Sequence, residues 1–171
     1  MVDVVRVGPS GGPVVEWELP ALLRSADAAD PKAGPSWQAG EIPWDGLESV
    51  RVIEASFDDL ALAAVVVRPA GATNHHEDRI AVALVREAGP EEISEALLST
   101  EYDPDGGVRR IGIELWPEAA GVGAQRLAAD RTGDPASSTV DGASRDATPM
   151  TFRLDGKQGS GLHELLRPSR R

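Results

Sequence analysis

Short apolar segments separated by clusters of glycine and proline constrain the fold of this chain more than any other feature. Within the segments, apolar residues recur at every second position or run continuously, which is typical of β-strands. The predicted strands cover residues 14–19, 50–57, 60–67, 80–85, 97–102, 108–116, 150–154 and 161–167, with 124–131 as a weaker candidate. Because short turns join successive strands, the pattern predicts a mostly β fold, a single antiparallel β-barrel or sandwich.

Helix signals are limited to two segments, so we expect one or two short helices. Residues 19–28 could form two turns, and Pro90 followed by two glutamates is typical of a helix start. For residues 90–98, helix and strand both stay open. No linker divides the 171 residues, and the sequence predicts a single β-rich domain over 1–171 with irregular segments near 30–43 and 117–149.

Composition excludes several classes of function. A net charge of -11 argues against nucleic-acid binding, which needs a positive surface. The absence of cysteine excludes disulfides and thiolate zinc sites. No apolar run approaches the roughly 20 residues of a membrane span, and no signal-peptide pattern opens the chain. We therefore expect a cytoplasmic protein with no nucleic-acid and no membrane partner.

Two predicted strands, 60–67 and 80–85, are apolar on both faces. A sheet with one wet face should alternate apolar and polar residues, so something must cover the second face. One interpretation is a cover formed by residues 19–28 or by a loop. The other is a homodimer built partly on a face of small residues, namely Ala61, Ala63, Val65, Ala81 and Ala83.

The connection between these strands carries His75 and His76 followed by two carboxylates. These residue types can ligate a divalent metal. Neighbouring histidines on an extended chain point in opposite directions, however, so both bind one ion only in a bent loop. We predict an exposed polar hairpin tip that holds no metal tightly, and we expect no cofactor.

A ligand pocket is predicted between the 97–116 hairpin and the C-terminal hairpin. Tyr102, Glu114, Trp116 and Glu164 are its expected polar or aromatic contacts, because pockets are apolar with a few fixed polar groups. Arg110 and Arg153, which lie on the same strands, are further polar groups that could converge there.

Two glutamates occupy alternating positions in apolar segments, Glu54 beside Val50 and Val52, and Glu164 between Leu162 and Leu166. A carboxylate on an apolar face has a raised pKa and can act as a general acid or base. Glu54 and Glu164 are therefore the candidate catalytic residues. A position near a strand end in water, or a pairing with arginine, is the alternative for each.

No phosphate loop, dinucleotide fingerprint or nucleophile elbow is present in the sequence. The first hypothesis is therefore a domain that binds a small apolar or amphipathic molecule. The second is a cofactor-independent isomerase, hydratase or cyclase that uses a buried carboxylate. The third is a structural or interaction subunit that acts through its apolar strand face. Whether the protein is an enzyme stays open.

Residues 152–164 combine an apolar strand, an Asp155-Gly156 turn, a Gly-x-Gly and Glu164. This segment resembles the closing hairpin of the carotenoid-hydratase-type, lipocalin-like β-barrels. The resemblance implies a β-barrel able to enclose an apolar molecule. It also implies that Glu164 and Trp116 are the matching kinds of position, without assigning a family catalytic residue to either.

Overall fold

The computed structural model describes residues 42, 44–119, 121–140 and 142–169, and the backbone of residues 2–6. The strands are β1 Val2–Arg6, β2 Leu47–Ser56, β3 Leu60–Pro69, β4 Arg79–Arg86, β5 Gly89–Glu91, β6 Ile93–Tyr102, β7 Val108–Pro117, β8 Gln125–Arg131, β9 Ala136–Val140, β10 Ala143–Leu154 and β11 Lys157–Pro168. One 3-10 helix, His75–Glu77, is the only helix within these ranges. The prediction of a mostly β fold is confirmed.

All the strands belong to one antiparallel sheet. Its order is β1-β6-β7-β8-β10-β11-β2-β3-β4-β5, and β9 pairs with the free side of β10. The sheet curves until β4 approaches β6 and β1, so that nine strands form a nearly closed barrel. Of the two predicted architectures, the structure adopts the barrel.

The structure decides one segment that the sequence left open and corrects part of another. Residues 90–98 form β5 and the first half of β6 rather than a helix, because β6 pairs with both β1 and β7 and points Ala96 and Leu98 into the interior. Residues 117–149, predicted to be irregular apart from the weaker strand candidate 124–131, hold β8, which matches that candidate, and also β9 and the first half of β10. The predicted strand 14–19, the predicted helix 19–28 and almost all of the irregular segment 30–43 lie outside the described residues.

The barrel interior is filled by large apolar side chains. Alternation along each strand points every second residue inward, as in a small barrel whose side chains fill the lumen. The largest fully buried members of this core are Ile53, Leu62, Leu84, Leu98, Ile111, Ile113, Leu115, Leu127, Met150, Phe152 and Leu154.

A second apolar cluster lies on the outer face of β2, β3 and β11. Its buried members are Ile42, Leu47, Val50, Val52, Val65, Val67, Ala143 and Leu166, and Trp44 and Ala81 pack against them. The segment just before β2 therefore covers part of the sheet face that the sequence left without a partner. This agrees with the interpretation of an internal cover for that part.

The closing hairpin depends on residues with unusual backbone or space requirements. Asp155 and Gly156 both have positive φ angles, 50° and 78°, and join Leu154 to Lys157 as a two-residue turn. The predicted Asp-Gly hairpin is thus confirmed. At Gly161 a Cβ atom would lie 1.8 Å from the carbonyl oxygen of Glu54, so only glycine lets β11 approach β2 this closely.

Candidate functional site

One end of the barrel interior is lined with polar side chains, and we call it the polar end. Its members are Arg51 on β2, Arg68 on β3, Asp78 just before β4, Thr100 and Tyr102 on β6, and His163 on β11. The alternation that points Ile53 and Leu98 into the core also points Arg51 and Thr100 inward. The polar end is therefore continuous with the apolar interior.

Asp78 is the centre of the polar end. Its Oδ2 accepts a hydrogen bond from Arg51 Nη2 at 2.5 Å, and its Oδ1 accepts one from Arg68 Nη1 at 3.1 Å. His75 Nδ1 lies 3.8 Å from Oδ2. The short 3-10 helix places Asp78 there, because Asn74 caps its first residues and Asp78 ends it.

The charged groups that the structure describes in the interior of the polar end are two guanidinium groups and one carboxylate. Burial raises the pKa of the Asp78 carboxyl group, whereas Arg51 and Arg68 oppose that rise. Two guanidinium groups thus share one buried carboxylate. The next carboxylate, Glu48, lies 3.6 Å from Arg68 Nε, but its side chain is 55% exposed and is screened by water. In the part of the chain that the structure describes, Asp78 is therefore the main counter-charge of both arginines.

Two buried polar atoms at this end have no hydrogen-bond partner among the described residues, Thr100 Oγ1 and His163 Nε2. Burial, together with the positive charge of Arg51, lowers the pKa of His163 to about 4, so its ring is neutral at pH 7. An unpaired buried polar atom costs about 1–3 kcal/mol. Such groups concentrate at sites whose function needs them, because the fold gains nothing from them.

A second group of ionisable residues lies on the outer face, and we call it the outer cluster: Glu54 on β2, Glu164 on β11 and Arg145 on β10. Arg145 donates a hydrogen bond to the buried Glu164. Burial raises the pKa of the half-buried Glu54 to about 7; the charge of Glu164 adds to the rise and Arg145 opposes it. Two carboxylates here share one guanidinium group.

The structure does not bring the four predicted pocket residues together. Tyr102 packs against the interior core and accepts a hydrogen bond from Arg51 Nη1 at 3.5 Å. Glu114 and Trp116 alternate with interior residues and face outward, where Glu114 lies 2.9 Å from Arg126 Nε. Glu164 belongs to the outer cluster, on a strand that β8 and β10 separate from β7. Of these four, only Tyr102 lies at the polar end.

The other two polar groups expected to converge on the pocket also lie outside the barrel. Arg110 Nε donates a hydrogen bond to Asp130 at 2.8 Å, and Arg153 donates one to the same carboxylate. These contacts form an exposed ladder across β7, β8 and β10. Such a ladder is typical of a solvated sheet face.

Sequence reasoning missed Arg51, Arg68 and Asp78. A signal for Arg51 was present, since it is a charged residue inside the apolar run 50–53. Asp78 belongs to the loop whose histidines suggested metal binding. His75 Nδ1 instead lies 3.1 Å from Arg68 Nη1.

In the part of the chain that the structure describes, no group of three or more histidine, aspartate or glutamate side chains could hold a metal ion. The expectation that the His75-His76 loop binds no metal tightly stays a prediction, which a zinc titration with His75→Ala as control tests. Within the same ranges, no helix is long and apolar enough to cross a membrane.

The opposite end of the barrel carries a surface cleft of about 640 Å³. It is lined by Arg86, the 88–92 segment, Glu118 and Ala119. Arg86 is already paired with Glu91 at 2.5 Å, and the hydrogen bond between Glu92 and Glu118 raises the pKa of Glu118. These carboxylates are solvated, and the buried unpaired atoms lie elsewhere, so we place the candidate site at the polar end.

The small-residue face proposed for dimerisation is partly buried within the chain. Val65 belongs to the apolar cluster on the outer face of β2, β3 and β11, and Ala63 is also buried. The side chains of Ala61, Ala81 and Ala83 are partly exposed. The homodimer stays a prediction for that remaining strip. Sedimentation at micromolar concentration tests it, with Ala83→Lys as the disrupting variant, because Ala83 belongs to the strip that keeps part of its surface.

No family model matches this chain, and no curated protein matches it. The nearly closed antiparallel barrel is consistent with a lipocalin-like architecture. Membership of the carotenoid-hydratase-type family stays a prediction that rests on the closing hairpin.

Proposed function

We propose that the protein is a binding module that holds a small amphipathic molecule, with the polar group of that molecule at the polar end. The observation that carries this proposal is the convergence of buried polar groups there. Arg51 is 7% exposed in its side chain and lies beside the neutral His163. His163 Nε2 and Thr100 Oγ1 are hydrogen-bonding atoms that a ligand could satisfy.

The apolar part of such a molecule would meet the adjoining core. Val66 precedes Arg68 on the inner face of β3, Ile80 follows Asp78 on β4, and Val108 pairs with Tyr102. Side chains occupy the interior deeper in the barrel, which favours a small ligand over a long one.

Native mass spectrometry of the protein purified from its own source tests this function. We expect a co-purifying small molecule that organic extraction removes and that raises the melting temperature when added back. Arg51→Met should abolish that rise, whereas Arg131→Gln, which alters a separate ion pair with Asp103, should preserve it. A protein that carries no molecule and gains no stability from its own cellular extract would contradict the proposal.

The outer cluster favours a second candidate function, a cofactor-independent isomerase, hydratase or cyclase. Glu54 supports it, because a carboxyl group with a pKa of about 7 can both accept and donate a proton near neutral pH. Carbon-13 NMR of the glutamate carboxyl groups, assigned with Glu54→Gln, tests the premise. A Glu54 titration midpoint below pH 5 would remove the support for catalysis by this residue.

The cytoplasmic location and the lack of a nucleic-acid partner are part of the proposal. The location is carried over from the sequence as an expectation, and the lack of a nucleic-acid partner rests on the net charge of -11. Cell fractionation and a filter-binding assay with random-sequence DNA check them.

A further inference from the structure

We infer that three side chains at the end of the barrel opposite the polar end form a clasp, and that release of this clasp admits small apolar molecules to the barrel interior. The clasp consists of Arg86 on β4, Glu91 on β5 and Gln125 on β8. This inference goes beyond the proposed function, because it concerns the other end of the barrel and a route into its interior.

The hydrogen bonds among the three side chains form a closed ring. Arg86 Nε donates to Glu91 Oε2 at 2.5 Å, and Arg86 Nη2 donates to Gln125 Oε1 at 2.6 Å. Gln125 Nε2 completes the ring by donating to Glu91 Oε1 at 3.1 Å. Each member is therefore held by both of the others, and bonds in such a network strengthen one another.

The clasp lies on the inner side of its strands, next to the apolar core. The cross-strand partner of Glu91 is Leu84, which is fully buried in that core. Gln125 pairs with Leu115, which is also fully buried there. Directly paired residues point to the same face of a sheet, so the clasp is the polar layer that borders the interior.

The clasp connects two parts of the sheet that no backbone ladder joins. Strands β4 and β5 lie at one end of the strand order, and β1 and β6 lie at the other. Among the described residues, no ladder pairs β4 or β5 with β6, so the barrel has a seam there. Gln125 belongs to β8, on the β6 side of the seam. Its hydrogen bonds to Arg86 and Glu91 therefore tie the two sides together.

The surface cleft of about 640 Å³ lies on the outer side of the clasp, since Arg86 and Glu91 belong to its lining. Their side chains are 32% and 20% exposed, so water can compete for their hydrogen bonds. Strand β5 has only three residues, and within the described ranges it pairs with β4 alone. Short, weakly paired elements open locally at a low free-energy cost. When the clasp opens, the cleft becomes continuous with the apolar core.

Thiol labelling of the full chain tests this inference. The chain contains no cysteine, so one substitution supplies the only thiol. Leu115→Cys places it beside the clasp. Met150→Cys places an equally buried reference thiol opposite Arg131, at the other end of β8. The probe is 4,4′-dithiodipyridine, a small neutral aromatic disulfide. We expect faster labelling of Leu115→Cys, with a weak dependence on urea, because the opening is local.

Variants identify the residues responsible. Gln125→Ala removes both hydrogen bonds that cross the seam, and it should accelerate the labelling of Leu115→Cys about fivefold while the urea dependence stays weak. Arg126→Gln is the matched control, since it alters the next residue of β8 and an outer ion pair with Glu114. It should leave the labelling rate unchanged. If Leu115→Cys does not fold, hydrogen exchange of β4 and β5 in the parent chain and in Gln125→Ala provides the same comparison.

The outcomes separate a clasp from an ordinary surface network. Equal rates with an equally steep urea dependence for the two thiols would show that the core opens only in global unfolding, and this overturns the inference. An unchanged rate in Gln125→Ala also overturns it. Because the labelling uses no ligand, either result leaves the proposed binding function at the polar end in place.

Discussion

Among the described residues, the polar end and the outer cluster both combine carboxylates with guanidinium groups, but in opposite proportions. Inside the barrel, two arginines share the carboxylate of Asp78, whereas on the outer face two glutamates share the guanidinium group of Arg145. Strands β2 and β11 contribute to both groups, because successive residues of a strand point to opposite faces.

The two groups respond differently to pH. A guanidinium group stays charged at any pH that a protein tolerates, so Arg51 and Arg68 always need an anion such as Asp78 beside them. A carboxyl group can take up a proton, and Glu54 does so with a pKa of about 7. The two guanidinium groups inside the barrel therefore stay charged across the pH range, whereas the outer cluster can take up a proton.

The largest difference in the free energy of unfolding should appear when the polar end and the outer cluster each lose one carboxylate. Asp78→Ala leaves Arg51 buried without its ion-pair partner, and we expect a loss of about 3–5 kcal/mol in the free energy of unfolding. Glu164→Ala leaves Arg145, which is 34% exposed, beside Glu54 and water, and should cost about 1 kcal/mol or less. Urea denaturation of both variants at pH 7 checks this order, and equal losses would refute it.

The pH dependence of stability should show two opposing contributions. Burial lowers the pKa of His163 from 6.5 to about 4, so the free energy of unfolding falls as the pH drops through this range, by about 3 kcal/mol in total. Glu54 has a pKa raised from 4.5 to about 7, so its contribution is present below pH 4.5 and is lost as the pH rises through 7. Because water screens this half-buried group, we expect about 1–2 kcal/mol from it.

Single variants separate these two contributions. Glu54→Gln should leave a free energy of unfolding that rises steadily between pH 4 and 6.5, and His163→Leu should leave one that falls between pH 4.5 and 7. Denaturant titrations at half-unit pH steps measure both profiles. If neither variant changes the slope relative to the parent chain, the two pKa shifts are smaller than we expect.

A smaller effect should follow removal of the guanidinium group from the outer cluster. Arg145→Met takes away the charge that opposes the rise at Glu54, so the titration midpoint of Glu54 should move upward by about one pH unit. Carbon-13 NMR of the carboxyl groups measures it. Arg126→Met, which alters the exposed pair with Glu114, is the control and should leave the midpoint where it is.

The smallest effect concerns the unpaired hydroxyl group at the polar end. Thr100→Val should stabilise the chain by about 1 kcal/mol or less in the absence of ligand, because it removes a buried oxygen with no partner among the described residues. Thr148→Val, at a buried threonine of β10 whose hydroxyl is not among the unpaired atoms, should bring no gain. A destabilised Thr100→Val would indicate that its hydroxyl group has a partner.

Much of the barrel was predictable from local signals, since period-two alternation and the Asp155-Gly156 turn depend on neighbouring residues. The 90–98 segment was ambiguous because Pro90 and its glutamates favour a helix start, and pairing of β6 with two strands decided against it. The polar end was not predictable, because Arg51 and Asp78 lie 27 residues apart and meet only through strand pairing. Alternation along β7 placed Glu114 and Trp116 on one face of the strand. It could not show whether that face points into the barrel or to the outside.

Charged residues on β2 also bear on how the chain avoids pairing its strands incorrectly. Val50 and Val52 are buried on the outer face, and Ile53 is buried on the inner one, so hydrophobicity alone does not distinguish the two sides of this strand. A slip of one residue would turn Arg51 outward and force Glu54 into the apolar lumen. Burying an unpaired carboxylate there would be strongly unfavourable, so these charges make the correct alignment the only favourable one during folding.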